Sequence, residues 1–138
     1  MNKIPALDNW KRYLVILADR EKMRFFTIHL GKIEETKEII DDQVPQRVKA
    51  HTINLGRTDK IMRHIEYHLN EHLKLVAKEA KNFVKGKKID LVVIGGHKEM
   101  LHKIRKHLLY PLNKKVLGEF VTELNIPLSK ISYRIQRL

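Results

Sequence analysis

The spacing of apolar and polar residues changes several times along the first forty positions. The run YLVILAD, starting at Tyr13, is continuously apolar, and MRFFTIHL follows it after the polar turn REK. KIEETKEI, after Gly31, alternates more weakly. Short runs of this kind, bounded by turn residues, are typical of strands. We therefore expect a hairpin followed by a third, more exposed strand.

A helical period begins at Thr58 or Asp59, and either residue would make a good N-cap. Apolar residues then recur at three- or four-residue spacing from Ile61 to Val84, and Gly86 ends the pattern. This predicts a long amphipathic helix. KIDLVVIGGH and KVLGEFVTEL are typical of strands, whereas KEMLHKIRKHLL and LSKISYRIQRL are typical of helices. The order β-β-β-α-β-α-β-α predicts an α/β fold, a mixed five-stranded sheet with helices on its faces.

The segment DDQVPQRVKAHTINLGR, residues 41–57, shows no helical period and is long for a connection inside a compact domain. Irregular segments of this length are usually functional or disordered. We expect a mobile basic loop at 41–57 within a single domain that spans residues 1–138.

The charge of the chain points to a class of partner. There are 28 Lys and Arg residues against 16 Asp and Glu, a formal net charge of +12. Such an excess predicts a polyanionic partner. Cysteine is absent, which excludes disulfides, thiolate nucleophiles and cysteine-based zinc sites and fits an intracellular protein. No apolar run approaches the roughly 20 residues of a membrane span, so we expect a cytoplasmic protein without a membrane partner.

Two groups of basic residues carry much of this charge, one around the long loop and one in the second helix. We predict that both contact the polyanion, mainly through phosphate, because the segments contain few aromatic residues for stacking. The candidate contact residues are Arg47, Lys49, Arg57, Lys60, Arg63, His64, Lys98, Lys103, Arg105 and Lys106.

The first helix carries His64, His68 and His72 at four-residue spacing, and the last two belong to the pattern His-x-x-Glu-His. A metal-dependent hydrolase built on His68, Glu71 and His72 is geometrically possible. It would need a third protein ligand, for which the sequence offers no obvious candidate. We expect a solvated or RNA-facing stripe, and neither a metal nor a cofactor.

VIGGHKEM places Gly95 and Gly96 where a strand meets a helix. The glycines could let backbone N–H groups approach a phosphate, but neither GxGxxG nor the P-loop pattern is present. A tight strand-to-helix turn is the expected role. No Gly-x-Ser-x-Gly motif or Ser-His-Asp arrangement indicates a hydrolase.

The stretches YLVILADREKMRFFTIHLGKIEE, RHIEYHLNEHLKLVAKEA, DLVVIGGH and LLYPLNKKVLGEF, taken together, resemble the central domain of the archaeo-eukaryotic peptide-chain release factor superfamily. The likeness is strongest to its bacterial branch and to related ribosome-rescue peptidyl-tRNA hydrolases. It covers nearly the whole chain. It implies the fold of translational-machinery components, with ribonuclease H-like topology, and a loop before the long helix that enters the peptidyl-transferase centre.

The superfamily carries Gly-Gly-Gln in that loop to position water on the ester of peptidyl-tRNA. The resemblance places INLGRTDKIM, residues 53–62, on the motif region, where Gly56 remains and no glutamine is present. It therefore assigns no catalytic residue. It implies a module that binds ribosomal RNA or tRNA on the ribosome, in translation termination or stalled-ribosome rescue, with the motif degenerate. The alternative is an active peptidyl-tRNA hydrolase with an atypical loop, in which Gln43 or Gln46 supplies the amide.

Overall fold

The computed structural model describes residues 10–41, 58–136 and 138, apart from the side chains at 58–62, 64–65 and 136. Five strands form one mixed sheet in the order β3-β2-β1-β4-β5. They are β1 (Tyr13–Ala18), β2 (Lys22–His29), β3 (Lys32–Ile40), β4 (Leu91–Gly96) and β5 (Val116–Val121). β2 is antiparallel to both β1 and β3, while β1, β4 and β5 run parallel to one another. The predicted hairpin, third strand and mixed five-stranded sheet are confirmed.

Three α-helices connect or follow the strands: α1 (Thr58–Phe83), α2 (Lys98–His107) and α3 (Leu128–Gln136). A 3₁₀ turn at Leu112–Lys114 precedes β5. The helices fall where the 3.6-residue period predicted them, although α2 ends before the two leucines that close the predicted segment. None of these helices, within the described part of the chain, has a stretch apolar enough to cross a membrane.

The helices cover both faces of the sheet, which explains why β1 is apolar at every position. Alternate residues of β1 point to opposite faces, and all six are buried. Leu14 and Ile16 pack with α1 and α2 in one apolar cluster, whereas Val15 and Leu17 pack with Ile131 and Ile135 of α3 in the other. β3 lies at the sheet edge with most of its side chains exposed, as its weak alternation predicted.

The two consecutive glycines of β4 are required by packing. A Cβ at Gly95 would lie 2.5 Å from the Leu17 side chain and 2.8 Å from the Phe120 ring. Gly96 has φ of 154°, and a Cβ there would lie 2.5 Å from the carbonyl oxygen of Ala18. A side chain at Gly96 would overlap backbone, and one at Gly95 would require Leu17 and Phe120 to move, so the glycines let β4 pack closely against its neighbours and turn into α2.

An ion pair joins β3 to the residue before β1, at the amino edge of the parallel strands. Nε and Nη2 of Arg12 donate to the two carboxylate oxygens of Glu34 at 2.8 and 3.2 Å. This hydrogen bonding holds the pKa of Glu34 below its usual value and raises that of Arg12. The backbone N–H of Arg12 also donates to Asp90 just before β4, at 2.9 Å. Because both side chains are partly exposed to solvent, the pair contributes only modestly to stability.

Candidate nucleic-acid interface

A buried histidine fixes the middle of α1 to the carboxyl edge of the sheet. His72 is 0% exposed. Its Nε2 lies 2.8 Å from the carbonyl oxygen of Asp19, just after β1, and its Nδ1 lies 2.8 Å from Oδ2 of Asp41, just after β3. A carbonyl oxygen can only accept, so Nε2 donates to Asp19, while Nδ1 forms a second hydrogen bond with the Asp41 carboxyl group. These two contacts, at the ends of β1 and β3, therefore fix the point at which α1 crosses the edge of the sheet.

The prediction of a solvated or RNA-facing histidine stripe is wrong for His72. The physical reason is the helical repeat: four residues advance by 40° beyond one full turn, so His64, His68 and His72 rotate progressively around α1. His68 is half-buried with its ring edge-on to Tyr67, at 5.5 Å between ring centroids. His72 has turned into the core beside Leu73 and Val76. The side chain of His64 lies outside the described residues.

The contacts of these histidines do not fit the alternative of a metal-dependent hydrolase. A histidine that binds zinc needs a free nitrogen lone pair, but both ring nitrogens of His72 face protein oxygens. Glu71 is exposed and lies 3.6 Å from Lys74, about 100° around α1 from the buried ring. Across the described ranges, no three His, Asp or Glu residues are placed to hold a metal ion together.

The N-terminal part of α1 extends past the sheet edge. α1 is followed by β4 and runs antiparallel to it. Since His72 contacts the carboxyl edge of the sheet, the residues of α1 that precede His72 lie beyond that edge. We define residues 58–67 as the helix arm; ten residues correspond to a length of about 15 Å. Its three described side chains, Arg63, Glu66 and Tyr67, are exposed, and Tyr67 is 59% exposed. The arm thus presents a cation and an aromatic ring to solvent.

The second predicted basic group lies on the outward face of α2. Met100, Leu101 and Ile104 face the core, and the four basic residues of the prediction are exposed: Lys98, Lys103, Arg105 and Lys106. Lys98 starts the helix at the same sheet edge as the helix arm. The other three lie farther along α2, and Arg105 is 3.7 Å from Glu119 of β5. The structure therefore brings Lys98 and Arg63 to the same end of the molecule, and it pairs Arg105 with Glu119.

Several predicted site residues cannot be compared with the structure. Arg47, Lys49 and Arg57 lie outside the described residues, as do Gln43, Gln46 and Gly56. Lys60 lies in α1, but its side chain is not described. Only the first residue of the predicted loop is described: Asp41 is 7% exposed, and its backbone N–H donates to the carbonyl of Glu21. Asp41 is therefore held by the turn before β2 and by α1, and the mobility predicted for the rest of the loop concerns residues outside the described ones.

The hollows at this sheet edge are too acidic to favour a phosphate. One cavity of about 330 Å³ is lined by Asp19, Glu38 and Glu123 together with Lys22 and His97. Its neighbour of about 210 Å³ is lined by Asp19, Arg20, His97 and Glu99. Asp19, Glu38, Glu99 and Glu123 oppose an anion inside these hollows, despite the favourable helix dipole, whereas Lys98 lines neither of them. This agrees with the packing role of the two glycines and argues against a phosphate cradle.

Sequence reasoning missed the junction of His72 with Asp41, although a signal for it existed. His72 lies three residues after Leu69 and four before Val76, so a helical projection places it within about 60° of the apolar stripe. A polar residue so close to a core face requires a buried partner. The identity of that partner is a long-range property of the sheet, because Asp41 is 31 residues away.

Comparison with known families and structures gives consistent results. The family model described as bacterial archaeo-eukaryotic release factor family 10 matches residues 4–136. No curated protein matches the sequence.

Two solved structures have similar folds. The archaeal translation termination factor aRF1 gives a TM-score of 0.65 at 18% identity, covering 97% of this chain and 39% of its own. A second structure, described as an archaeal protein, gives a TM-score of 0.60 at 16% identity, covering 91% of this chain and 35% of its own. This chain therefore spans less than half the length of either. The likenesses confirm the predicted mixed α/β fold.

Proposed function

The chain belongs to bacterial archaeo-eukaryotic release factor family 10, and we propose that it binds ribosomal RNA or tRNA on the ribosome, in translation termination or the rescue of stalled ribosomes. This function would place the protein in the cytoplasm. The observation that carries the proposal is the helix arm, which directly follows the position of the superfamily's functional loop and extends away from the rest of the fold. Its exposed Arg63 and Tyr67 suit contacts to phosphate and to an unstacked base.

The binding surface that we propose combines the helix arm with the start of α2. Arg63 and Lys98 are exposed at the same end of the molecule, and neither forms an ion pair with an acid in the described part of the chain. These two cations are therefore available to phosphate, unlike Arg105. The other proposed contacts are those predicted from the sequence: Arg47, Lys49, Arg57, Lys60, His64, Lys103, Arg105 and Lys106. We expect Arg105 to contribute less than its neighbours, since Glu119 already offsets part of its charge.

The junction of His72 with Asp41 supports this arrangement mechanically. It attaches α1 to Asp41, the last residue before segment 42–57. The position of the helix arm is therefore fixed relative to the start of that segment. A helix that binds RNA in a crowded site binds more tightly if it is held rigidly, because rigid placement lowers the entropy lost on binding. We therefore propose that His72 positions the arm without touching RNA.

Cosedimentation with ribosomes tests the proposal. We expect the wild-type chain to pellet with ribosomes in about 100 mM salt and the double variant Arg63→Ala, Lys98→Ala to remain largely in solution, because each lost phosphate contact weakens binding. The matched control, Lys32→Ala with Lys130→Ala, removes the same charge from exposed positions on β3 and α3, which are not among the proposed contacts. If the control loses as much binding as the test variant, the proposed surface is wrong.

A single-turnover assay on ribosome-bound peptidyl-tRNA separates a binding module from the hydrolase alternative. Since no glutamine is present in residues 53–62, we expect binding without ester cleavage. Cleavage that persists with a chelator, and that Gln43→Ala or Gln46→Ala abolishes, would establish the alternative instead. Cleavage that a chelator removes would point to the metal-dependent chemistry that the contacts of His72 oppose.

A further inference from the structure

A third hollow lined by charged residues lies at the end of the molecule opposite the helix arm. Its volume is about 310 Å³, and it sits between the C-terminal turn of α1 and the 3₁₀ turn before β5. Its lining residues divide into an apolar floor of Val84, Ile89, Pro111 and Leu112 and a polar rim of Lys81, Asn82, Lys85, Lys87 and Lys115. Every charged residue that lines this lysine cavity is a lysine.

Two of the rim lysines are held in place by the protein. Nζ of Lys87 lies 2.5 Å from Glu35 and 4.6 Å from the centre of the Phe83 ring. Nζ of Lys115 donates to the carbonyl oxygen of Ile89 at 2.6 Å, a contact that orders the ammonium without neutralising it. The rim is therefore partly built before any ligand arrives.

The other two rim lysines provide charge that the fold does not neutralise. Lys81 and Lys85 are exposed and pair with none of the carboxylates in the described part of the chain. Together with Lys115 they leave three ammonium groups around one hollow without an acidic partner. Like charges gathered in this way repel one another, and an anion bound between them removes that cost.

We propose that the lysine cavity binds a phosphate monoester that carries one flat or apolar group, the chemistry of a mononucleotide. The phosphate would meet Lys81, Lys85 and Lys115, whose combined charge suits the roughly −1.5 to −2 of a monoester near neutral pH. The base would lie on Pro111 and Leu112, with the amide of Asn82 able to donate and accept at its edge. The volume lies at the small end of the range for ligand sites, which fits one nucleotide.

This site goes beyond the RNA-binding surface proposed above and is separate from it. Lys81 lies 14 residues after the last residue of the helix arm, a distance of about 21 Å along α1. The ligand could be a free nucleotide or the 5′-phosphorylated end of an RNA strand, since both present the same chemistry.

Titration with AMP, followed by amide chemical shifts and by calorimetry, tests the proposal. We expect saturable binding with Kd below about 1 mM, with shifts concentrated around the cavity. Adenosine and inorganic phosphate, each lacking half of the ligand, should bind at least about tenfold more weakly. Competition by a 5′-phosphorylated trinucleotide, but not by its 5′-hydroxyl form, would assign the natural source to RNA ends; no competition by either would assign it to free nucleotides.

Two variants test whether AMP binds in the lysine cavity. Lys81→Gln with Lys85→Gln should weaken AMP binding at least about tenfold, whereas Lys32→Gln with Lys130→Gln, with the same charge change elsewhere, should not. Asn82→Trp should block the hollow without changing its charge; all three changes are at exposed positions, and thermal unfolding checks that the fold is kept. The proposal is overturned if AMP does not bind, if phosphate alone binds as tightly as AMP, or if the control pair weakens binding equally.

Discussion

Replacing Asp41 by Ala should destabilise the protein because it leaves the buried imidazole of His72 without its partner. The two groups are 2.8 Å apart, and the exposures are 0% for His72 and 7% for Asp41. A buried polar group that loses its partner still bears the cost of leaving water, and breaking one side of a buried pair typically costs about 3–5 kcal/mol.

The lower end of that range applies here, because Asp41 retains a little solvent access that would let water approach the vacated position. We expect Asp41→Ala to lower the free energy of unfolding by about 3 kcal/mol. Asp41→Asn keeps an acceptor oxygen near Nδ1 and should cost about 1–2 kcal/mol. A loss of this size is a large part of the roughly 5–15 kcal/mol that stabilises a domain, but it leaves the chain folded.

Urea unfolding at pH 7 measures the effect. With a slope of about 1–3 kcal/mol per M, a loss of 3 kcal/mol moves the midpoint down by about 1–3 M. Glu71→Ala is the control: it removes an acid from the exposed side of the same helix, where the contact with Lys74 should contribute less than about 0.5 kcal/mol. A value for Asp41→Ala within about 0.5 kcal/mol of wild type would refute the reasoning, since the junction would then not hold α1.

Two further predictions follow from contacts elsewhere in the sheet. Gly95→Ala should cost about 1–3 kcal/mol in urea unfolding because the new Cβ would overlap Leu17, while Gly118→Ala, where a Cβ has ordinary contacts, should be nearly neutral. Because Arg12 lowers the pKa of folded Glu34, their pairing stabilises the fold above the unfolded pKa of about 4.3, and this contribution is lost as pH falls through the folded value. Glu34→Gln should therefore destabilise the fold slightly at pH 7 and not at pH 2, as measured by urea unfolding at both values; an equal loss at both would contradict this.

Local sequence pattern predicted the strands and helices well, because the apolar run or the period that marks each one lies within a single short segment. The continuous apolar run of β1 could be recognised as a strand, and the weak alternation of β3 as a more exposed strand. The two glycines of β4 were correctly expected at a tight turn. Their physical reason, the approach of Leu17, Phe120 and the Ala18 carbonyl, depends on which strands are neighbours and could not be read locally.

The contacts of the candidate site were less accessible to sequence reasoning. Treating His64, His68 and His72 as one face ignored the 40° drift that carries His72 into the core. The junction with Asp41 and the lysine cavity both join residues far apart in the chain: Lys81 lies on α1, and Lys115 just before β5. Local patterns carry no information on such pairings, whereas the exposed positions of Lys98, Lys103 and Lys106 on α2 follow from helical period alone.

The salt dependence of RNA binding tests the central claim most directly. If the helix arm and the start of α2 contact phosphate, the logarithm of the affinity for structured ribosomal RNA falls linearly with the logarithm of salt concentration, with a slope of about 0.9 per contact. Fluorescence anisotropy between about 50 and 200 mM salt should show that Arg63→Ala with Lys98→Ala weakens binding and flattens the slope by about two units. Lys32→Ala with Lys130→Ala should leave the slope unchanged. Equal slopes for the two double variants, or an affinity that hardly responds to salt, would contradict the account.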